Sequence, residues 1–395
     1  MTRFAQPKGC RRLIVDTDLG LDDLVALAIL RLQQCHFSKE SGFYDHQNAS
    51  QFTNYFLSGV MLTSGISTAN YENAALLSRI LPPETDIYVE STRKSLSWNN
   101  IEKPTWWTRT SDNVRSFLSS LPANETAKKN NDIMTAEEYL ANHLHDPDID
   151  VLCMAPLTNV AKAIDMFKER NPNSPICSHF YIMGGIQSES RVTRRSESTA
   201  PFGYHDIFLE KNTTKDKYIE PLSDQFGEFN FALDIESARK VLAAVSTHII
   251  TLEACTLVPR HLRDNECSTS LAAVLTKKLE TSNCSEQLNA ARDVLLKLLK
   301  EFGTDETQWD SIAAAIYCNV FPSDNMHIQA RKSILLLSNL GEITYGDSED
   351  AKKVRGIQND AAPSLHSIYP AFTVGDEMVF YEFLSSILFH KISCK

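Results

Sequence analysis

Apolar positions along this chain fall into short unbroken runs that alternate with segments at helical spacing. Leu13-Ile14-Val15 reads as a buried strand, and Leu24 to Leu32 carries the i, i+3, i+4 pattern of an amphipathic helix. Gly59 to Thr63 reads as a second strand, followed by a helix through Ala74 to Leu81. Ile149 to Met154 with Leu157 to Met166 forms another strand and helix pair, and His179 to Met183 a further strand ending at Gly184-Gly185. His248 to Leu252 and Ser333 to Leu337 look like later strands, and Glu377 to Leu388 like a closing surface helix. Such alternation predicts an α/β fold: a mostly parallel, Rossmann-like open sheet with helices on its faces. Two polar stretches, 36–53 and 187–226, interrupt the pattern, and loops of that length are commonly lids or insertions. Without a repeat, a Gly/Ser linker or a block of like charge to mark a boundary, residues 1–395 are expected to form a single domain.

Charge narrows the partners. With 39 Lys+Arg against 50 Asp+Glu, a formal net charge of -11 and no basic patch, the chain would repel a phosphate backbone, so no nucleic-acid partner is expected. Nine cysteines without a C-x-x-C pair suit reduced thiols better than a disulfide framework or a zinc site. No apolar run approaches the ~20 residues needed to cross a bilayer, and the amino terminus lacks the pattern of a secretory signal. Together these point to a cytoplasmic protein with no membrane partner, in which the sequons at Asn48, Asn124, Asn212 and Asn283 are chance matches.

The chemistry concentrates in Asp16-Thr17-Asp18-Leu19-Gly20-Leu21-Asp22-Asp23, between the first strand and the first helix. Alternation along an extended chain puts Asp16 and Asp18 on one side at the strand's carboxyl end. Gly20 is expected to allow the turn, and Asp22 and Asp23 fall at the helix start, where negative charge is tolerated. That pair alone reads equally as ordinary capping. Four carboxylates in one turn at the end of an apolar strand would repel one another and tend to protonate unless a cation balanced them, and a hard divalent ion such as calcium takes oxygen ligands of this kind. The crevice beyond the strand carboxyl ends is also where open α/β sheets bind small molecules.

Strand-D-x-D-x-G-x-D-D-helix resembles the nucleoside hydrolases, which split nucleosides into base and ribose. A weaker likeness to haloacid-dehalogenase-type magnesium phosphohydrolases stops at D-x-D. Further along, Ala155-Pro156-Leu157-Thr158-Asn159 looks like the first family's G-P-L-T-N element, Met183-Gly184-Gly185 like its M-G-G turn, Glu228-Phe229-Asn230 with Asp234 like its E-F-N…D segment, and Trp309-Asp310 like its last metal-binding element. Singly each match has a bland alternative, such as a helix cap at Thr158 or core packing at Met183 and Trp309; the shared order carries the weight.

The resemblance implies the nucleoside hydrolase fold and a set of roles. Asp18, Asp23, Asp310 and the Thr158 carbonyl would hold Ca²⁺, and Asp16 would orient that shell from behind. Asp18 would double as the general base that deprotonates the attacking water. Asp22, Glu228 and Asn230 would grip ribose hydroxyls as an oxocarbenium-like ring develops, with Met183 beside the sugar. Trp309 stands where pyrimidine-accepting members carry His, so the chain is nearest the purine-preferring subgroup, in which an indole stacks on the base and helps its protonation. Trp106 or Trp107, rather than Trp98, would supply a second stacking face.

Departures from the family pattern are also visible. Ser64, expected as a substrate-binding residue, stands where the family has an Asn or Asp that contacts the substrate, with a shorter reach, and an Asn expected before E-F-N is missing, its region being occupied by 187–226. That insertion is expected to lie over the pocket, where His205 could serve as a replacement acid, although an exposed loop histidine is the plainer reading. The expected activity is calcium-dependent hydrolysis of purine ribonucleosides, in nucleoside catabolism and purine salvage. A nucleoside-binding relative with impaired catalysis is the alternative, ahead of the phosphohydrolase, for which later Lys and acidic-pair elements are lacking. The expected partner is a small-molecule nucleoside, with room for a homodimer or tetramer.

Overall fold

The computed structural model describes residues 10–37, 54–91, 105–122, 134–187, 228–251, 286–301, 309–318, 331–337, 342–346 and 365–369. Most of both polar insertions, His205 and the expected helix from Glu377 to Leu388 lie outside these residues.

The strands are β1 (Arg11–Thr17), β2 (Tyr55–Leu62), β3 (Asp86–Val89), β4 (Ile149–Met154), β5 (His179–Met183), β6 (Ile186–Gln187), β7 (Thr247–Ile250), β8 (Arg331–Leu337), β9 (Glu342–Gly346) and β10 (Leu365–Tyr369). The helices are α1 (Leu21–Phe37), α2 (Tyr71–Leu77), α3 (Thr105–Ser120), α4 (Ala136–Ala141), α5 (Thr158–Arg170), α6 (Phe229–Leu233), α7 (Ile235–Ala244), α8 (Glu286–Glu301) and α9 (Trp309–Tyr317). One sheet joins the strands in the order β3-β2-β1-β4-β5-β7-β10-β8-β9-β6. Pairing is parallel from β3 through β10, and β8 enters antiparallel to both β10 and β9. The mostly parallel open sheet expected from the alternating pattern is therefore present.

Alternation within β1 explains the two layers. Leu13 and Val15, both fully buried, join a core built with α1, α3, α8 and α9 on one face, while Ile14 joins a core with α4, α5 and α7 on the other. Each such side chain contributes roughly 1.5–3 kcal/mol of burial, so both faces of β1 hold it in register. At the amino end, the Arg11 guanidinium makes a two-pronged bond to the buried Asp150, with Nε to Oδ2 at 2.6 Å and Nη2 to Oδ1 at 2.5 Å. The Tyr317 hydroxyl donates to the same Asp150 Oδ2 at 3.1 Å, which ties the last turn of α9 to β4. The strand order reverses between β1 and β4, because the chain moves outward to β2 and β3 and then returns across β1. Side chains at the carboxyl ends of β1 and β4 therefore flank a topological switch point, where such sheets open a crevice.

Candidate active site at the carboxyl edge of the sheet

The β1–α1 turn is built around its own acidic groups. Thr17 Oγ1 donates to Asp23 Oδ1 and accepts from the Leu19 amide at 3.1 Å, and the Gly20 amide donates to Asp23 Oδ2 at 2.9 Å. The left-handed conformation falls on Leu19, at φ 59°, and not on Gly20, where the sequence led us to expect the turn's special residue. Gly20 is needed for space instead. A Cβ there would stand 2.8 Å from Asp23 Oδ2, 2.9 Å from Asp22 Oδ1 and 3.7 Å from Asp18 Oδ1. Three carboxylates thus surround one glycine. Leu19, a residue type that rarely adopts this backbone region, is locked by burial of its side chain and by Ser67 Oγ donating to its carbonyl at 3.2 Å.

Asp310 reaches the same place from the first turn of α9, which packs directly on α1. One carboxylate oxygen from each of Asp22, Asp23 and Asp310 lies within 4.8 Å of the others. Asp18, Asp23 and Asp310 are buried and Asp22 is partly exposed. Burial first, and then mutual repulsion, pushes the carboxyl of Asp18 up to about 7 and those of Asp23 and Asp310 well above their ordinary range. None of the ion pairs among the described residues includes these four groups. Asp310 Oδ1 is buried without a hydrogen-bond partner.

Asp16 is held from the β2 and α5 side. Its Oδ1 accepts from Thr63 Oγ1 at 2.7 Å and from Asn159 Nδ2 at 3.1 Å, while Oδ2 has no partner. Burial pushes this carboxyl up to about 8. Asn159 Nδ2 also meets Thr63 Oγ1 at 2.6 Å and the Leu62 carbonyl at 3.2 Å, so one amide ties the ends of β1 and β2 to the start of α5. Asn159 belongs to the quoted A-P-L-T-N element, yet its role became legible only from these contacts.

The other expected residues occupy the same edge of the sheet. Glu228 caps α6: its Oε1 accepts from the Asn230 amide at 2.8 Å, and its Oε2 from the amides of Gly185 at 3.0 Å and Phe231 at 3.1 Å. Asn230 Nδ2 lies 3.3 Å from the Met183 carbonyl, which leaves the amide oxygen for another donor. Gly184 packs against Phe231, where a Cβ would come within 2.4 Å of the ring. The Met183-Gly184-Gly185 turn and the Glu228-Phe229-Asn230 segment are thus one interlocked unit.

Thr158 occupies the first turn of α5, and its hydroxyl donates to Asp234 Oδ2 at 2.7 Å. Trp309 directly precedes Asp310, is partly buried against the β1–α1 core, and has an indole Nε1 without a hydrogen-bond partner. Trp106 and Trp107 lie in the first turn of α3, and Ser111, about one turn later, meets Ser67 Oγ at 3.1 Å beside the Asp18 turn. Their side chains, like the whole of Trp98, are outside the described residues. Ser64 follows β2, and its hydroxyl donates to Glu90 at 2.5 Å. Glu90 was not anticipated, because a single Glu after the four-residue strand β3 leaves no mark in the sequence.

Comparison with known proteins places this arrangement. Residues 13–356 match the sequence profile described as inosine-uridine preferring nucleoside hydrolase. No curated protein sequence matches the chain. Among solved structures, a plant nucleoside hydrolase aligns over 96% of this chain and 99% of its own, with a TM-score of 0.57 and 15% identity. A purine-preferring ribonucleoside hydrolase from Gardnerella vaginalis aligns over 96% and 99%, with a TM-score of 0.55 and 14% identity. An inosine-guanosine nucleoside hydrolase aligns over 96% and 98%, at 0.53 and 15%. At these identities the structural likeness speaks for the fold, while the profile match spans most of the chain. The chain is a member of the inosine-uridine preferring nucleoside hydrolase family, an N-ribohydrolase by that membership.

Proposed function

We propose that this chain hydrolyses the N-glycosidic bond of purine ribonucleosides with the help of calcium. The observation that carries this reading is the convergence of Asp18, Asp22, Asp23 and Asp310, none of which has a cationic partner among the described residues. The donor set suits a hard divalent cation: every donor is a carboxylate oxygen, and the buried, unpartnered Asp310 Oδ1 supplies a lone pair with nothing else to meet it. Asp18, Asp23 and Asp310 would hold the ion. The Thr158 carbonyl, as the resemblance implies, would add a further oxygen ligand. When bound, calcium would balance the negative charge and acidify a coordinated water.

The chain's own residues would do the rest. Asp18, with Oδ2 fixed by the Ile66 amide at 3.0 Å, keeps Oδ1 toward the cluster and would take the proton from water. Asp22, partly exposed at the cluster's edge, would accept from ribose hydroxyls, together with the Glu228 carboxylate and the Asn230 amide. Met183 would border the sugar through the turn that Asn230 holds. Trp309 would stack on the departing base, and Trp106 or Trp107 would face it from α3. Asp16 would act from behind through Thr63 and Asn159, and Ser64 would line the corner beside Asp18. The chain is read as one domain over residues 1–395, acting on free nucleosides in a cytoplasm, alone or as a homo-oligomer.

Incubation with inosine, adenosine, guanosine and uridine, in calcium and then in excess chelator, tests this. Release of free base, faster from purines and abolished by the chelator, is the expected result; release that is indifferent to chelation would refute it. Saturable nucleoside binding without release would favour a binding relative, the reading that Ser64 in place of a longer side chain supports. Trp309→Ala should slow purine substrates more than ribosides whose leaving group needs no protonation.

A further inference from the structure

Ser64 and Glu90 form a pair whose position relative to Asp18 gives it a task. The Ser64 hydroxyl donates to Glu90 Oε1 at 2.5 Å, the Ser64 amide donates to Glu90 Oε2 at 3.3 Å, and the hydroxyl accepts from the Ala69 amide at 3.2 Å. One carboxylate therefore holds Ser64 by two of its groups. Glu90 is itself fixed: its amide donates to the Leu62 carbonyl at 3.2 Å, extending the pairing of β2 and β3 by one residue.

Immediately after Ser64 the chain presses against Asp18. A Cβ on Gly65 would lie 2.0 Å from Asp18 Oδ2, the Ile66 amide donates to that same oxygen at 3.0 Å, and the Ser67 amide donates to the Asp18 carbonyl at 2.9 Å. The segment 64–67 is thus clamped by Glu90 on one side and grips Asp18 on the other. Contact this close leaves no slack, so a shift of Ser64 away from Glu90 moves the amide that aims Asp18. The serine hydroxyl spends its one proton on Glu90 and one lone pair on Ala69. Glu90, one residue beyond β3, thus reaches both the hydroxyl and the amide of this short residue.

We propose that Glu90 is a positioning residue which, through Ser64, sets the 64–67 turn and thereby the orientation of the Asp18 carboxylate. The proposal rests on the reading of Asp18 as metal ligand and base. It predicts that Ser64 and Glu90 behave as one unit, with calcium affinity and kcat falling together while KM stays close to its original value, because Asp22, Glu228 and Asn230 are untouched.

The test measures calcium binding to the chelated full-length protein by titration calorimetry, beside kcat and KM for inosine, in Ser64→Ala, Glu90→Gln, the double variant and Ser64→Thr. Loss of a charge-assisted bond should lower calcium affinity and kcat roughly 10- to 100-fold in each single variant. The double variant should be no worse than the poorer single one, and Ser64→Thr, which keeps the hydroxyl, should stay within about threefold of the original protein. Losses that multiply in the double variant, or unchanged calcium affinity and kcat in both singles, would overturn the proposal. If Glu90→Gln does not fold, the contrast between Ser64→Ala and Ser64→Thr decides the same question. Asp18→Asn separates the two layers of inference: full activity and calcium affinity in that variant would remove the parent reading, whereas an inactive Asp18→Asn beside an unaffected Glu90→Gln would remove only the positioning role.

Discussion

Stripping the cation should make the protein lose stability as the pH rises from about 5.5 to 7.5, and adding calcium back should erase that trend. In the metal-free fold, burial holds the Asp18 carboxyl up at about 7, whereas an unfolded Asp titrates near ~3.9. A raised carboxyl stabilises the fold fully below the unfolded value, and that stability drains away as the pH climbs through the folded value. Each retained proton corresponds to about 1.4 kcal/mol per pH unit, so Asp18 alone should cost about 2 kcal/mol across this window. Asp23 and Asp310 are raised in the same direction and add to the loss. Several degrees of melting temperature should follow. With calcium bound, the carboxylates are ionised in both states and this part of the slope vanishes. The assay is scanning calorimetry at both pH values, in chelator and in excess calcium, reading the difference between the two forms. An equal calcium-induced gain at both pH values, or a larger gain at the acidic one, would refute the electrostatic account of the cluster.

Two substitutions and a control probe the supports. Thr63→Val removes a donor to Asp16 and a partner of Asn159, and should weaken calcium binding roughly 10- to 100-fold as a change behind the ligand shell; unchanged affinity by calorimetry would leave Asp16 with no orienting role. Gly65→Ala places a methyl against Asp18 and should abolish calcium-induced stabilisation, whereas Gly59→Ala, which meets the Tyr139 ring at 2.7 Å, should lower the melting temperature while keeping calcium affinity. A normal calcium response in Gly65→Ala would contradict the tight seat of Asp18.

The parts of this protein that the sequence made legible share one property: their signal is local. Asp18, Asp22 and Asp23 lie in a single strand–turn–helix, so the local pattern was enough to bring their side chains around Gly20. β1, β4 and β5 announce themselves as apolar runs for the same reason. By contrast, β3 is a four-residue strand of mixed polarity, Asp-Ile-Tyr-Val, and α3 begins in a polar context, so neither stands out by pattern. The strand before Thr63 starts at Tyr55, four residues earlier than the apolar run suggested, because the polar Ser58 is accommodated by donating its hydroxyl to the Leu13 carbonyl of β1. Glu90 and Asn159 act through partners distant in the chain, which no periodicity encodes. Asp310 was found only because an ordered family pattern linked it to the first strand, since no local periodicity ties a late helix start to the β1–α1 turn. Gly20 was rightly singled out for the wrong physical reason, since its missing side chain matters more than its freedom of rotation.

The acidic pocket also fixes when it can exist. Asp18 and Asp23 emerge early in synthesis, but Asp310 arrives only after more than three quarters of the polypeptide has been made, carried on a helix that must dock against α1 and tie its far end to Asp150 through Tyr317. Until that closure the early aspartates have no late counterpart, and a chain stopped before residue 309 would retain the first strands yet lack the pocket. An ion held there would act as a clasp between distant stretches of chain, and its release should free α9 for hydrogen exchange before the central strands open.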